Sequence, residues 1–268
     1  MRVIRHVAVN VFKESVRDKV LYTIVVFAVL LISTSYLVGQ RTAGQDMKII
    51  KDLGLASISI FGLLIAIFIG IGLVWKEVEK RSIYTLLSKP MRRAEFILGK
   101  YSGLVLTLFI NVGVMTIAFY GVLTFLSWTA DPEVRTSWLS PAADPAMLKA
   151  IALIIVELML VTAIALFFST FSSPFLSAML TMGIWVIGHF NDDLRNYGAA
   201  VGSRAAASIA KGLYYVLPNF SAFDVKAQVV HGQPVPLAYV GLTALYGVTY
   251  LALVLIGAAT IFSRRDFK

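Results

Sequence analysis

The 268-residue chain contains no cysteine, which excludes disulfides, thiolate metal sites and a cysteine nucleophile. Its three histidines, His6, His189 and His231, lie far apart, so no single element carries a histidine metal cluster. No Gly-x-x-x-x-Gly-Lys-[Ser/Thr] run occurs, and with it goes the usual backbone cradle for nucleotide phosphates. Charge is scarce as well: 15% of residues are charged and 58% hydrophobic, with a mean hydropathy of +0.80. A water-soluble domain could not clothe its surface from that composition, so the bilayer is the expected solvent. The formal net charge of +9 does not point to nucleic acid, because the basic residues flank apolar runs instead of gathering on a polar surface.

A membrane-spanning helix needs about 20 apolar residues. Six stretches qualify, near residues 20–38, 55–75, 101–127, 148–168, 175–190 and 237–262. The fourth and fifth are separated only by Ser169 to Pro174, and together they are too long for one crossing of a ~30 Å core, so a tight hairpin is expected at Pro174. Glu14 and Asp18 interrupt the basic N-terminal region, and no small-residue cleavage site follows Val20, so residues 1–19 do not read as a signal peptide. The expectation is one all-α domain over 1–268, a polytopic membrane protein with six transmembrane helices.

Six crossings place both termini on one side. Fifteen lysines and arginines lie in the two termini and the 76–100 loop, against nine spread over the longer loops opposite, so the termini are expected to face the cytoplasm. Before the first span, Val3, Ile4, Val7, Val11, Phe12 and Val16 recur at helical spacing among basic residues, as in an amphipathic helix lying at the membrane surface over 1–19. The 191–236 segment is too polar to cross and too long for a turn. It reads as a structured extracytoplasmic cap, with a short helix whose apolar stripe runs from Ala205 to Leu217 and stops at Pro218.

Between the second and third spans, Ile83, Leu86 and Leu87 share one face of a short helix that Lys89 and Pro90 would end, with Glu77 and Glu79 beside it. Such a knob fits a socket on a partner, and the same pattern also suits a solvated loop with a lipid-facing helix. Glu77, Glu79, Leu86, Leu87, Ser88, Pro90, Arg92, Glu95, Leu98, Gly99 and Lys100 resemble the cytoplasmic loop signature of ABC-2 type permeases, with Ser82-Ile83-Tyr84 where that family usually has a small residue. LPNFSAFDVK, Leu217 to Lys226, is similar to the segment before the last span in the branch named for multicopper-enzyme maturation.

The resemblance implies a permease subunit of an ATP-driven exporter in a bacterial or archaeal cytoplasmic membrane. By the same resemblance, two permease copies would pair with cytoplasmic ABC ATPases that bind ATP and magnesium. Glu77, Glu79, Ile83, Leu86, Leu87 and Pro90 would form a coupling helix, and residues 1–19 an elbow helix. No cofactor, metal or catalytic residue is expected in this chain, nor a nucleic-acid partner; membrane lipid is the expected surrounding.

Within the spans so drawn, Glu157 is the sole carboxylate, and a charge at that depth costs about 2.5–3.5 kcal/mol. Reflecting the hairpin about residues 171–172 sets Glu157 level with residue 186, within a helical turn of His189. A Glu157–His189 pair is one solution, and a protonated Glu157 bonded to a hydroxyl or backbone carbonyl is the other. Met179 and Met182, one turn apart, could hold a soft metal ion but ordinarily just pack. Asp192 and Asp193 read as helix-end charges. Two other classes of function use the same residues: an integral membrane enzyme built on Glu157, His189, Asp192 and Asp193, and an ion-coupled carrier that depends on Glu157.

Overall fold

The computed structural model describes residues 2–39, 46–79, 93–136, 138, 140–191 and 204–264. Among them all regular structure is helical. Helix α1 (Arg2–Val16) leads into α2 (Lys19–Gly39), α3 (Asp46–Glu79) and α4 (Arg93–Thr129), and a short α5 (Pro132–Thr136) follows. The hairpin of α6 (Met147–Ser169) and α7 (Pro174–His189) comes next, then α8 (Arg204–Val216), a 3-10 turn at Ser221–Phe223, α9 (Lys226–Val230) and α10 (Leu237–Arg264).

Five helices, α2, α3, α4, α6 and α10, are long and apolar enough to cross a membrane. Their burial divides them. About 72% of the α3 span and 67% of the α6 span lie inside the molecule, against 22% for α2 and 28% for α10, so α3 and α6 are the most enclosed of the long apolar helices. Gly62 and Gly70 allow that contact: a Cβ on Gly62 would stand 2.5 Å from Leu158 Cδ1, and one on Gly70 would stand 2.6 Å from Ala165 Cβ. Small residues two turns apart let two apolar helices approach closely where the hydrophobic effect provides no drive.

The sixth apolar helix, α7, has 16 residues and is therefore ~24 Å long, short of a ~30 Å hydrocarbon core. The expected hairpin is present. Pro174 occupies the first turn of α7, and Ser173 caps it by accepting from the Leu176 N–H at 3.4 Å. At the far end the chain after α8 folds inward to meet the short helix. The Phe220 N–H donates to the Gly188 carbonyl at 3.0 Å, and Phe220, Phe223, Val225, Val229 and Val230 are buried. This part of the 191–236 segment is thus an inserted plug as much as a cap. Three tyrosines of α10 hold it: Tyr239 Oη donates to the Ala222 carbonyl at 2.7 Å, Tyr246 Oη accepts from the Asn219 N–H at 2.9 Å, and Tyr250 Oη donates to the Val216 carbonyl.

Two helices run well past the apolar windows. α3 has 34 residues and α4 has 37, about 51 and 56 Å, so each is longer than the segment expected at 55–75 or 101–127. Hydropathy registers where a helix leaves lipid, whereas good helix formers such as Lys, Glu, Leu and Ala let it continue into water. In consequence the 76–100 loop is narrower than expected: 76–79 finish α3 and 93–100 begin α4. Glu77 and Glu79 close α3, while Ile83, Leu86, Leu87 and Pro90 fall at 80–92, outside the described residues.

The apolar stripe of α1 also has a different neighbour from the expected lipid surface. It docks on the start of α4 through Gly99-Lys100-Tyr101-Ser102-Gly103, where a Cβ on Gly99 would lie 2.7 Å from Val7 Cβ and one on Gly103 would lie 2.6 Å from the Ala8 carbonyl oxygen. A Gly-x-x-x-Gly pattern admits a second helix at this distance. Phe96, on the same stretch, stacks on Phe262 of α10 with ring centroids 5.8 Å apart.

Candidate functional site

Glu157 sits at the middle of α6 and is 1% exposed. Its Oε1 accepts a hydrogen bond from the Trp185 indole Nε1–H at 2.7 Å, and His189 Nε2 stands 3.7 Å from the same oxygen. The hairpin geometry brings these groups together, because Trp185 and His189 are one turn apart on α7, and α7 runs back along α6. His189 Nδ1 lies 3.0 Å from the Trp185 carbonyl oxygen. That oxygen can only accept, so Nδ1 carries the hydrogen and Nε2 faces the carboxyl.

The ring of His189 is clamped on both sides, with Trp185 at a 4.3 Å centroid distance and the buried Phe220 stacked at 5.8 Å and 15°. Beyond it the plug supplies Lys226 and Asp224, whose charges lie 3.4 Å apart. Lys226 Nζ also donates to Ser59 Oγ of α3 at 3.5 Å. Exposure rises along this line, from 1% at Glu157 to 20% at His189 and 21% at Lys226. The site is a polar seam joining α3, α6, α7 and the plug.

Of the alternatives the sequence leaves open for Glu157, the structure realises the nearness of His189, and its hydrogen-bond donor is neither a hydroxyl nor the backbone. Sequence reasoning missed Trp185. The reflection that placed residue 186 opposite Glu157 pointed within one residue of it, and Trp is the one donor-only aromatic in the inventory. It also missed Lys226 and Asp224, which appeared only as members of LPNFSAFDVK. Met179 and Met182 are exposed on α7, and no group of three or more metal-ligating His, Cys, Asp or Glu side chains occurs among the described residues. Asp192 and Asp193 lie outside those residues.

The bundle thus gathers five helices long and apolar enough to cross a membrane around a polar seam that runs from the buried Glu157 to the partly exposed His189 and Lys226. The chain belongs to the ABC-2 family transporter proteins, whose family model matches residues 6–267. It is accordingly a multi-pass membrane permease component of an ABC transporter, a kind of subunit that works with an ABC ATPase. No curated protein matches the chain significantly.

Proposed function

We propose that this permease is half of an ATP-driven exporter, in which a separate cytoplasmic ATPase drives alternation between two global states of a pair of permease copies. The observation that carries the reading is the family match over residues 6–267 together with the coupling signature at Glu77–Pro90. Because α3 and α4 extend beyond the apolar windows, a knob at Ile83, Leu86 and Leu87 would be held away from the membrane surface by two stiff helices, and a push there would act directly on the central helix α3. Both termini and this knob face the cytoplasm, in keeping with the lysine and arginine distribution.

A second copy is supported by α7. A 16-residue helix with Phe175, Leu176, Met179 and Leu180 exposed leaves a hydrophobic mismatch if lipid alone surrounds it, and association is one way to relieve mismatch. Glu157, buried and bonded, acts in this reading as a structural lock between hairpin and plug, not as an acid or base.

The test is recovery of the ATPase. Replacing Leu86 and Leu87 together by Asp puts charge into an apolar socket, and co-purification of the ATPase should fall about tenfold or more while membrane insertion is retained. Undiminished recovery with undiminished transport would remove the coupling role from the knob.

A further inference from the structure

Where α1, α2 and α4 meet, a cavity of about 310 Å³ opens between Ser15 at the end of α1, Tyr22 and Val25 of α2, and Thr107, Asn111 and Val114 of α4. Its surface is overwhelmingly apolar, and among the described residues no charged side chain lines it. Two of its polar groups lack partners. Ser15 is 3% exposed, and its hydroxyl has no hydrogen-bond partner among the described residues. Asn111, half-buried at the midpoint of α4, makes no side-chain hydrogen bond there either. The spans' hydroxyls mostly bond back to their own helix: Thr107 to the Gly103 carbonyl, Thr116 to Val112 and Thr162 to Leu158. An asparagine amide offers two donors and an acceptor, more than one such back-bond would satisfy. Left in hydrocarbon, the Asn111 amide and the Ser15 hydroxyl each carry an uncompensated desolvation cost.

We infer that this cavity is a binding site for an uncharged amphiphile that carries an amide or similar donor-acceptor group on a long apolar body, drawn from the leaflet on the side of the termini. A bare acyl chain would fill the slot and leave the Asn111 amide unpaired. A charged headgroup would find no counter-charge in the lining. A neutral amide satisfies Asn111 as donor and acceptor together. The identification of this ligand as transported cargo rests on the exporter reading; the site itself does not.

The test is photolabelling of the full chain with its ATPase in phosphatidylcholine nanodiscs. The probe is an N-alkyl fatty amide bearing a diazirine and an alkyne, set against a hydrocarbon of equal length with the same two groups and no amide. The amide probe should label the peptides around Tyr22–Val25 and Thr107–Val114 saturably, and Asn111→Leu should lower that labelling about five- to tenfold. Val114→Trp, which fills the cavity and keeps the amide, should lower it similarly and guards against a folding defect in the first variant. Equal labelling by the hydrocarbon, or no loss in either variant, overturns the site. So does efficient disulfide formation between two copies by Asn111→Cys in this cysteine-free chain, since a second copy would then be the occupant. Saturable amide labelling in a chain that recruits no ATPase would uphold the site while removing the exporter reading.

Discussion

The cap end of the bundle and the corner formed by α1, α2 and α4 treat buried polarity in opposite ways. At the cap end, Lys51 is 1% exposed yet donates to Ser140 Oγ at 2.7 Å and to the Pro141 carbonyl at 2.8 Å. Lys149 donates to the Val235 carbonyl at 2.8 Å, Tyr120 donates to the Asp144 carbonyl at 3.0 Å, and Glu157 has Trp185 and His189. Asn191 Oδ1 is the exception there. At the other corner Ser15 and Asn111 have no such partners among the described residues, and beside the 310 Å³ cavity a second of about 140 Å³ opens between Ser15, Leu21 and Phe68. The contrast teaches that loop-to-helix bonds pin one end of the fold, whereas the corner beside α1 is packed to leave room.

Substitutions can break this contrast. The largest effect is expected from Gly103→Leu. Even a Cβ there would meet the Ala8 carbonyl oxygen at 2.6 Å, and overpacking of this sort costs about 3 kcal/mol or more where backbone is the obstacle. Helix α1 should undock, seen as protease cleavage near Val16 in purified protein; an intact, protected α1 would show that the docking is not tight.

Glu157→Leu comes next. It strands the Trp185 N–H and removes the neighbour of His189, costing about 2–3 kcal/mol, whereas Glu157→Gln keeps an acceptor and should cost about 1 kcal/mol or less. Thermal unfolding in detergent ranks them. Equal losses would mean that ionisation, not the hydrogen bond, is what the site requires.

Lys51→Met should cost about 1–2 kcal/mol by freeing the 140–141 segment from α3, with faster hydrogen exchange there as the measurement. Exchange unchanged by the substitution would show that the lysine pins nothing. The smallest effect sharpens the comparison from the other side. Asn111→Leu should leave stability unchanged or raise it by up to about 1 kcal/mol, since it deletes a polar group that none of the described residues satisfies. A loss as large as that of Glu157→Leu would erase the difference between the two regions.

Much of the fold was legible before any coordinates, and the reasons are local. Residues 20–38, 148–168 and 237–262 read as spans because hydropathy sums over neighbours in the chain, and α2, α6 and α10 occupy those positions. The turn at Pro174 was legible because a proline with Ser173 before it both ends one helix and starts the next. Helix ends in water were not: nothing in the apolar count tells that α3 begins nine residues before Leu55. The Gly99-x-x-x-Gly103 pattern was visible and could have given the docking of α1, which the amphipathic stripe alone assigned to lipid.

What the sequence by itself determined is that this chain is helical and crosses the membrane repeatedly, because composition and period are properties of the chain alone. Which donor meets Glu157, and which hydroxyl and amide meet nothing, was decided only by the tertiary structure. Those outcomes depend on how each helix is rotated about its axis and on the insertion of Phe220 and Phe223 above a short α7. Rotation and insertion are set by packing among residues far apart in the chain, through contacts that no local sum contains.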